Sequence, residues 1–231
     1  MKDISSLARG AVVAALLASL TGCGGGGGSD SPPQQANPPP AVPEPSPPPA
    51  PPPPPPAATV PPVSATVQDI SDGRQVGVTR WGNPQTNGQA IGTFTCVVNP
   101  PQTFSLHTHL TILVNNEPQT IPRYVGAAPS GGTHCFYAIH TDDASGRIHV
   151  VSSAAGVLTL GQLFQIWGQP LTNTNVAGVS GLPVEIFVTD NGTVTKVDDA
   201  NWSNIELRDH REITIGLGTP VAEIPNFTWT D

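Results

Sequence analysis

Residues 133–170 read THCFYAIHTDDASGRIHVVSSAAGVLTLGQLFQIWGQP, and the second half of this stretch sets the one helix around which the rest of the chain arranges itself. Thr159 has the side chain of an N-cap. Leu160, Leu163, Phe164 and Trp167 then recur at i, i+3, i+4 and i+7, one stripe of a helical period. Gly168 offers a stop and Pro170 forbids continuation, so a helix is predicted over about 159–168. An apolar stripe of that kind has to be covered, and the flanking sequence supplies strands to cover it.

Upstream, 135–140 and 147–152 are short β-prone runs joined by a turn-rich Thr-Asp-Asp-Ala-Ser-Gly, which predicts a hairpin. Downstream, 183–189 and 193–197 flank Asp190-Asn191-Gly192, and Asn-Gly between alternating runs is a strong hairpin signal. Residues 212–217 alternate with period two. Further upstream, in 106–114, Leu106, Thr108, Leu110, Ile112 and Val114 share one strand face, with His107, His109, Thr111 and Leu113 on the other. Asn115-Asn116-Glu117 reads as a turn, and 119–124 as a return strand limited by Pro118 and Pro122. Residues 64–104 carry weak signal and read as irregular, partly strand.

The chain begins differently. Lys2 and Arg9 give a positive segment, and 11–20 an apolar run too short to span a bilayer as a mature helix. Residues 24–28 are five glycines, and 18 of the 28 prolines fall between positions 24 and 63. Such a tract cannot bury apolar area and reads as a disordered tether, not a domain. About thirty residues in polyproline II would reach roughly 90 Å. The expected organisation is a signal segment over 1–22, a linker over 23–63 and a single domain over 64–231. That domain holds all six histidines, with seven Lys/Arg against fourteen acids. An acidic domain with no basic cluster argues against nucleic-acid binding.

Leu20-Thr21-Gly22-Cys23 resembles the lipobox of bacterial lipoproteins, which implies cleavage before Cys23, diacylation of its thiol and anchorage to a membrane; an ordinary signal peptide with a chance cysteine is the alternative. Gly24 in place of Asp implies an outer-membrane address. In that oxidising setting the remaining pair, Cys96 and Cys135, is expected to form a disulfide, with free or metal-ligating thiols as the alternative.

The blocks LHTHLTILVNN, CFYAIHTDDASGRIHVVSS, LTLGQLFQIWGQPL, VEIFV and LRDHREITIGLG resemble a family of secreted bacterial proteins and lipoproteins patterned HxHLTI, HTHDxSGxIH and TLGQFFxxWG. The match covers about residues 96–218 and implies no activity. Where that pattern has His-Thr-His-Asp, this chain has His140-Thr141-Asp142-Asp143, so one imidazole is exchanged for a carboxylate. The order strand, strand, helix, strand, strand, strand is similar to the β-grasp fold. The expected class is α+β: a β-grasp-like mixed sheet with one main helix and an added N-terminal strand and hairpin. β-Grasp sulfur carriers need a C-terminal Gly-Gly, and 226–231 reads NFTWTD, so that activity is not expected.

The histidines carry the chemistry that can be read. His107 and His109 are i, i+2 on one strand face, and His140 and His149 flank the turn of the predicted hairpin. Imidazole binds Cu²⁺ and Zn²⁺, and Asp142 or Asp143 could complete a shell. The candidate site is therefore His107, His109, His140, His149 and Asp142. The competing reading is a set of structural histidines in a tethered protein-interaction module. Catalysis has less support: no G-x-S-x-G, H-E-x-x-H or phosphate-binding loop occurs, and only an Asp/His hydrolase remains to be weighed. His210 reads as an exposed turn residue.

Overall fold

The computed structural model describes residues 49–52, 59–84 and 86–229. The chain divides into two compact units, Met1–Pro53 and Pro54–Asp231, and the strands and helix belong to the second. The expected signal segment, Cys23 and most of the tether lie outside the described residues. Among the described residues no helix is long and apolar enough to cross a membrane.

In chain order the unit carries β1 (Val63–Asp69), β2 (Phe104–Val114), β3 (Glu117–Gln119), β4 (Ala127–Ser130), β5 (Thr133–Phe136), β6 (Ile139–His140) and β7 (Arg147–Ser152). Then come α1 (Leu160–Trp167), β8 (Asn175–Val176), β9 (Val179–Ser180), β10 (Val184–Asp190), β11 (Thr193–Val197), a 3₁₀ turn over Asp199–Asn204, β12 (Glu212–Leu217) and β13 (Ile224–Thr228). The class is α+β, as expected. A seven-stranded sheet runs β11-β10-β12-β2-β7-β6 with β3 beside β2. Its middle pair, β12 and β2, is parallel, and the other pairs are antiparallel.

α1 forms where the spacing placed it. Thr159 caps it in a box with Gln162, and Gly168 ends it at φ 70°. Its Leu160, Leu163, Phe164, Ile166 and Trp167 are buried with Leu110, Ile112, Ile148, Val150, Ile186, Ile213 and Ile215, which form one face of the sheet. At roughly 2 kcal/mol for each large apolar side chain removed from water, this face supplies most of the domain's cohesion. The other face carries a smaller cluster of Leu113, Phe187, Val221 and Ile224. β13 contributes to it and pairs in parallel with β1, a ribbon the local sequence did not announce.

Two expectations need correction. The run 135–140 is not one hairpin arm. β5 pairs with β4, the chain turns at Tyr137, whose ring is fully buried, and only β6 pairs with β7. The return strand after Asn115-Asn116 stops at Gln119; 120–122 is buried coil, with Pro122 unable to donate a ladder bond, and a turn follows with Arg123 exposed and Tyr124 at φ 65°.

Candidate functional site

Strand register places the histidines. His107 of β2 lies directly opposite His149 of β7, and His149 lies directly opposite His140 of β6. Directly paired residues share a sheet face, so the three imidazoles form a row across three strands on the face away from α1. The His107 and His149 rings meet edge to face at 4.7 Å, and His149 and His140 stack at 5.5 Å. Phe136 packs on the other side of His140 at 4.8 Å.

Asp142 closes the row. One carboxylate oxygen lies 3.8 Å from His140 Nε2 and the other 3.5 Å from His149 Nε2. His140 donates its Nδ1–H to the Tyr137 carbonyl at 3.0 Å, so in the neutral ring the Nε2 lone pair faces the carboxylate. Burial pushes the His149 pKa down to about 4, opposed by Asp142 and reinforced by His140, His107 and Arg147. Burial also lowers His140, against the pull of Asp142 and the Tyr137 carbonyl. Both rings are therefore neutral at pH 7, the form that binds metal.

His109 goes elsewhere, although it shares the strand face of His107. Its Nε2–H is donated to the Ser145 carbonyl at 2.8 Å, its Nδ1 faces the Thr111 hydroxyl at 3.4 Å, and its ring lies 3.8 Å from that of Phe227. It is 1% exposed, and burial lowers its pKa to about 4. Gly146 explains the fit: at φ 90° it presses against this ring, and a Cβ there would stand 2.9 Å from Nε2. With both nitrogens engaged, His109 has no lone pair to offer and is a packing residue. Asp143 is likewise occupied, accepting from the Ser145 amide and hydroxyl. Cys96 and Cys135 are joined as a disulfide.

The sequence did not single out what orients the row. The Asp209 carboxylate accepts the His107 amide at 3.1 Å, and the His210 amide is donated to the His107 carbonyl at 2.8 Å, so the block 208–211 docks on the start of β2. Arg211, 8% exposed, grips the Asp190 carboxylate with Nε and Nη2 at 2.8 and 2.6 Å. Such partners are a hundred residues apart in places and leave no local signal. His134 lies outside the row, stacked on Tyr124 at 4.8 Å. His210 occupies a turn against Trp229.

Beside His109, directly opposite on β12, lies Glu212. Burial pushes its pKa up to about 7, partly opposed by the Trp229 side chain and the Phe227 amide. A carboxyl raised in the fold contributes stability that is fully present below about pH 4.5 and is lost as pH rises through about 7. Glu212→Gln is accordingly expected to match wild type at pH 4 and exceed it at pH 8, read as urea midpoints across that range. Equal pH slopes for the two proteins would contradict the burial assigned to Glu212.

Among the described residues, no group of three or more His, Cys, Asp or Glu side chains is placed so that it could hold a metal ion. Neither a family model, a curated protein nor a solved structure matches this chain.

Proposed function

We propose that the domain is a binding module that takes a Cu²⁺ or Zn²⁺ ion at His140, His149 and Asp142, with His107 at the end of the row. What carries the reading is one carboxylate facing two neutral imidazole Nε2 atoms at 3.8 and 3.5 Å. These distances are long for hydrogen bonds. In a tetrahedral site with metal bonds near 2.0–2.2 Å, donor atoms stand roughly 3.4 Å apart, a few tenths of an ångström from this spacing. Ligation requires the His140 and His149 rings to turn towards a common point. Asp142, 52% exposed, is free to swing with them. The Nδ1–H of His140 held by a backbone carbonyl is the support that metal-binding imidazoles commonly have. Imidazole and carboxylate together suit Zn²⁺ and Cu²⁺ better than Mg²⁺ or Ca²⁺.

The address belongs to the same proposal. The Cys23 box and the glycine and proline tract support a lipid-anchored envelope protein on a long tether, with Gly24 favouring the outer membrane. The β-grasp reading is supported by strand order. With β2, β7, β10, β11 and β12 taken as first to fifth, the sheet runs second, first, fifth, third, fourth, with first and fifth parallel.

The test is a Cu²⁺ and Zn²⁺ titration of the full chain with elemental analysis. One equivalent is expected, abolished by His149→Ala and by His140→Ala, weakened by Asp142→Asn and unchanged by His210→Ala. Equal weak binding by all four variants would leave only scattered surface imidazoles and sink the metal site.

A further inference from the structure

A second site lies on the opposite side of the sheet. Residues 80–84, Thr86 and Ile91 on one side and the C-terminal end of α1 on the other line an open groove of about 720 Å³, within the range of ligand pockets. Trp81, half-buried, lines it. Its indole N–H is donated to the Ala177 carbonyl at 2.7 Å, and its ring meets Trp167 edge to face at 5.2 Å, so the plane of Trp81 is fixed before any ligand arrives. Gln165 in the last turn of α1, Gln169 just beyond its Gly168 cap and Asn83 bring three carboxamides to the groove. None of these amides has a hydrogen-bond partner among the described residues. Arg80, held through Nε by the Gln119 side chain at 3.0 Å, is the one charged side chain among the described residues of the lining. In a chain of net charge −8, those residues include no carboxylate.

We propose that this groove binds a saccharide. A sugar ring has an apolar C–H face and a rim of hydroxyls that each donate and accept. A fixed indole suits the face. Planar carboxamides, which also donate and accept without carrying charge, suit the rim. A lining with Arg80 and without carboxylates admits neutral, N-acetylated or acidic sugars and disfavours cationic ligands. A proline-rich peptide is the other occupant an aromatic groove can take, but it lies against indoles whose N–H points to its carbonyls, and the Trp81 N–H is already committed to Ala177. The site is independent of the histidine row, and its success or failure says nothing about the metal.

The experiment is calorimetric titration of the full chain with chitotriose, with maltotriose and with a proline decamer, each to millimolar concentration. Saturable binding of at least one trisaccharide is expected, weakened about tenfold in Trp81→Ala, the scale of one good aromatic contact. Trp81→Phe keeps the packing on Trp167 and should retain most of the affinity. Gln165→Ala with Gln169→Ala, at the groove rim, should weaken binding severalfold without changing the thermal midpoint. Absence of saturable saccharide binding, affinity untouched by these variants, or saturation by the proline decamer alone would each overturn the assignment.

Discussion

His109→Ala is expected to lose roughly 3 kcal/mol of stability at pH 7 while leaving the metal binding proposed for His140, His149 and Asp142 intact. The loss has two parts. Removing the imidazole opens a void against Phe227 and Gly146, and it leaves the Ser145 carbonyl without its donor. The pH dependence separates this from a generic core defect. With a folded pKa near 4 against an ordinary 6.5, His109 contributes stability that is present above pH 6.5 and lost as pH falls through about 4. Wild type should therefore forfeit roughly 3 kcal/mol over that interval through this side chain, and the gap to His109→Ala should narrow as the solution is acidified. At the proposed metal site His149→Ala should behave in the opposite way, abolishing metal binding at a much smaller cost to folding, because His149, the middle ring of the row, keeps part of its side chain exposed. If His109→Ala unfolds no more easily than wild type yet abolishes a metal binding that wild type shows on titration, then His109 is a ligand and not a packing residue.

Cys96→Ser with Cys135→Ser should cost about 4 kcal/mol, from the entropy of a loop closed across 39 residues, and lower the thermal midpoint by roughly 10 °C. The bridge fastens the weakly structured region before β2 to β5, reinforcing the Val97 and Phe136 backbone pair and the hydrogen bonds that the Tyr137 hydroxyl donates to the Gln89 carbonyl and the Thr86 hydroxyl to the Ala127 carbonyl. Local loss should precede global loss. Hydrogen exchange of residues 86–97 should speed up before that of β2 and β12, and dithiothreitol on the wild-type chain should give the same pattern. Equal exchange in oxidised and reduced protein would show that the loop is held by packing alone.

The local elements were readable because their causes are local. The Thr159 cap, the Leu160 to Trp167 stripe and the Gly168 stop lie within ten residues, and the helix formed with those limits. Alternation along β2 assigned its faces, since pleating alone decides them: Leu110 and Ile112 meet α1, and Leu113 meets Phe187. Three of the four candidate histidines came together through pairing register, and Asp142 reaches them from the connection after β6. The fate of His109 was not legible, because the residues that claim it, Ser145, Gly146 and Phe227, come from a turn and from a strand 118 positions downstream. β13 escaped for a related reason. Its partner, β1, lies about 160 residues away, and parallel pairing carries no turn to advertise it. The run 135–140 looked like one strand because its β-prone side chains are continuous, and it was divided by the burial of Tyr137.

The parallel pair at the middle of the sheet has a consequence for how the chain is made. His109 of β2 pairs with Glu212 of β12, so the central seam joins segments a hundred residues apart. Until residues near 217 have emerged from the ribosome, β2 lacks the neighbour on one side and the α1 face of the sheet lacks Ile213 and Ile215. The hairpin of β10 and β11 and the Cys96–Cys135 loop can form early, but neither closes the core. A chain whose last strands complete its centre folds late and slowly, as topologies rich in distant pairings do. It therefore stays open and extended for as long as its C-terminal segment is withheld.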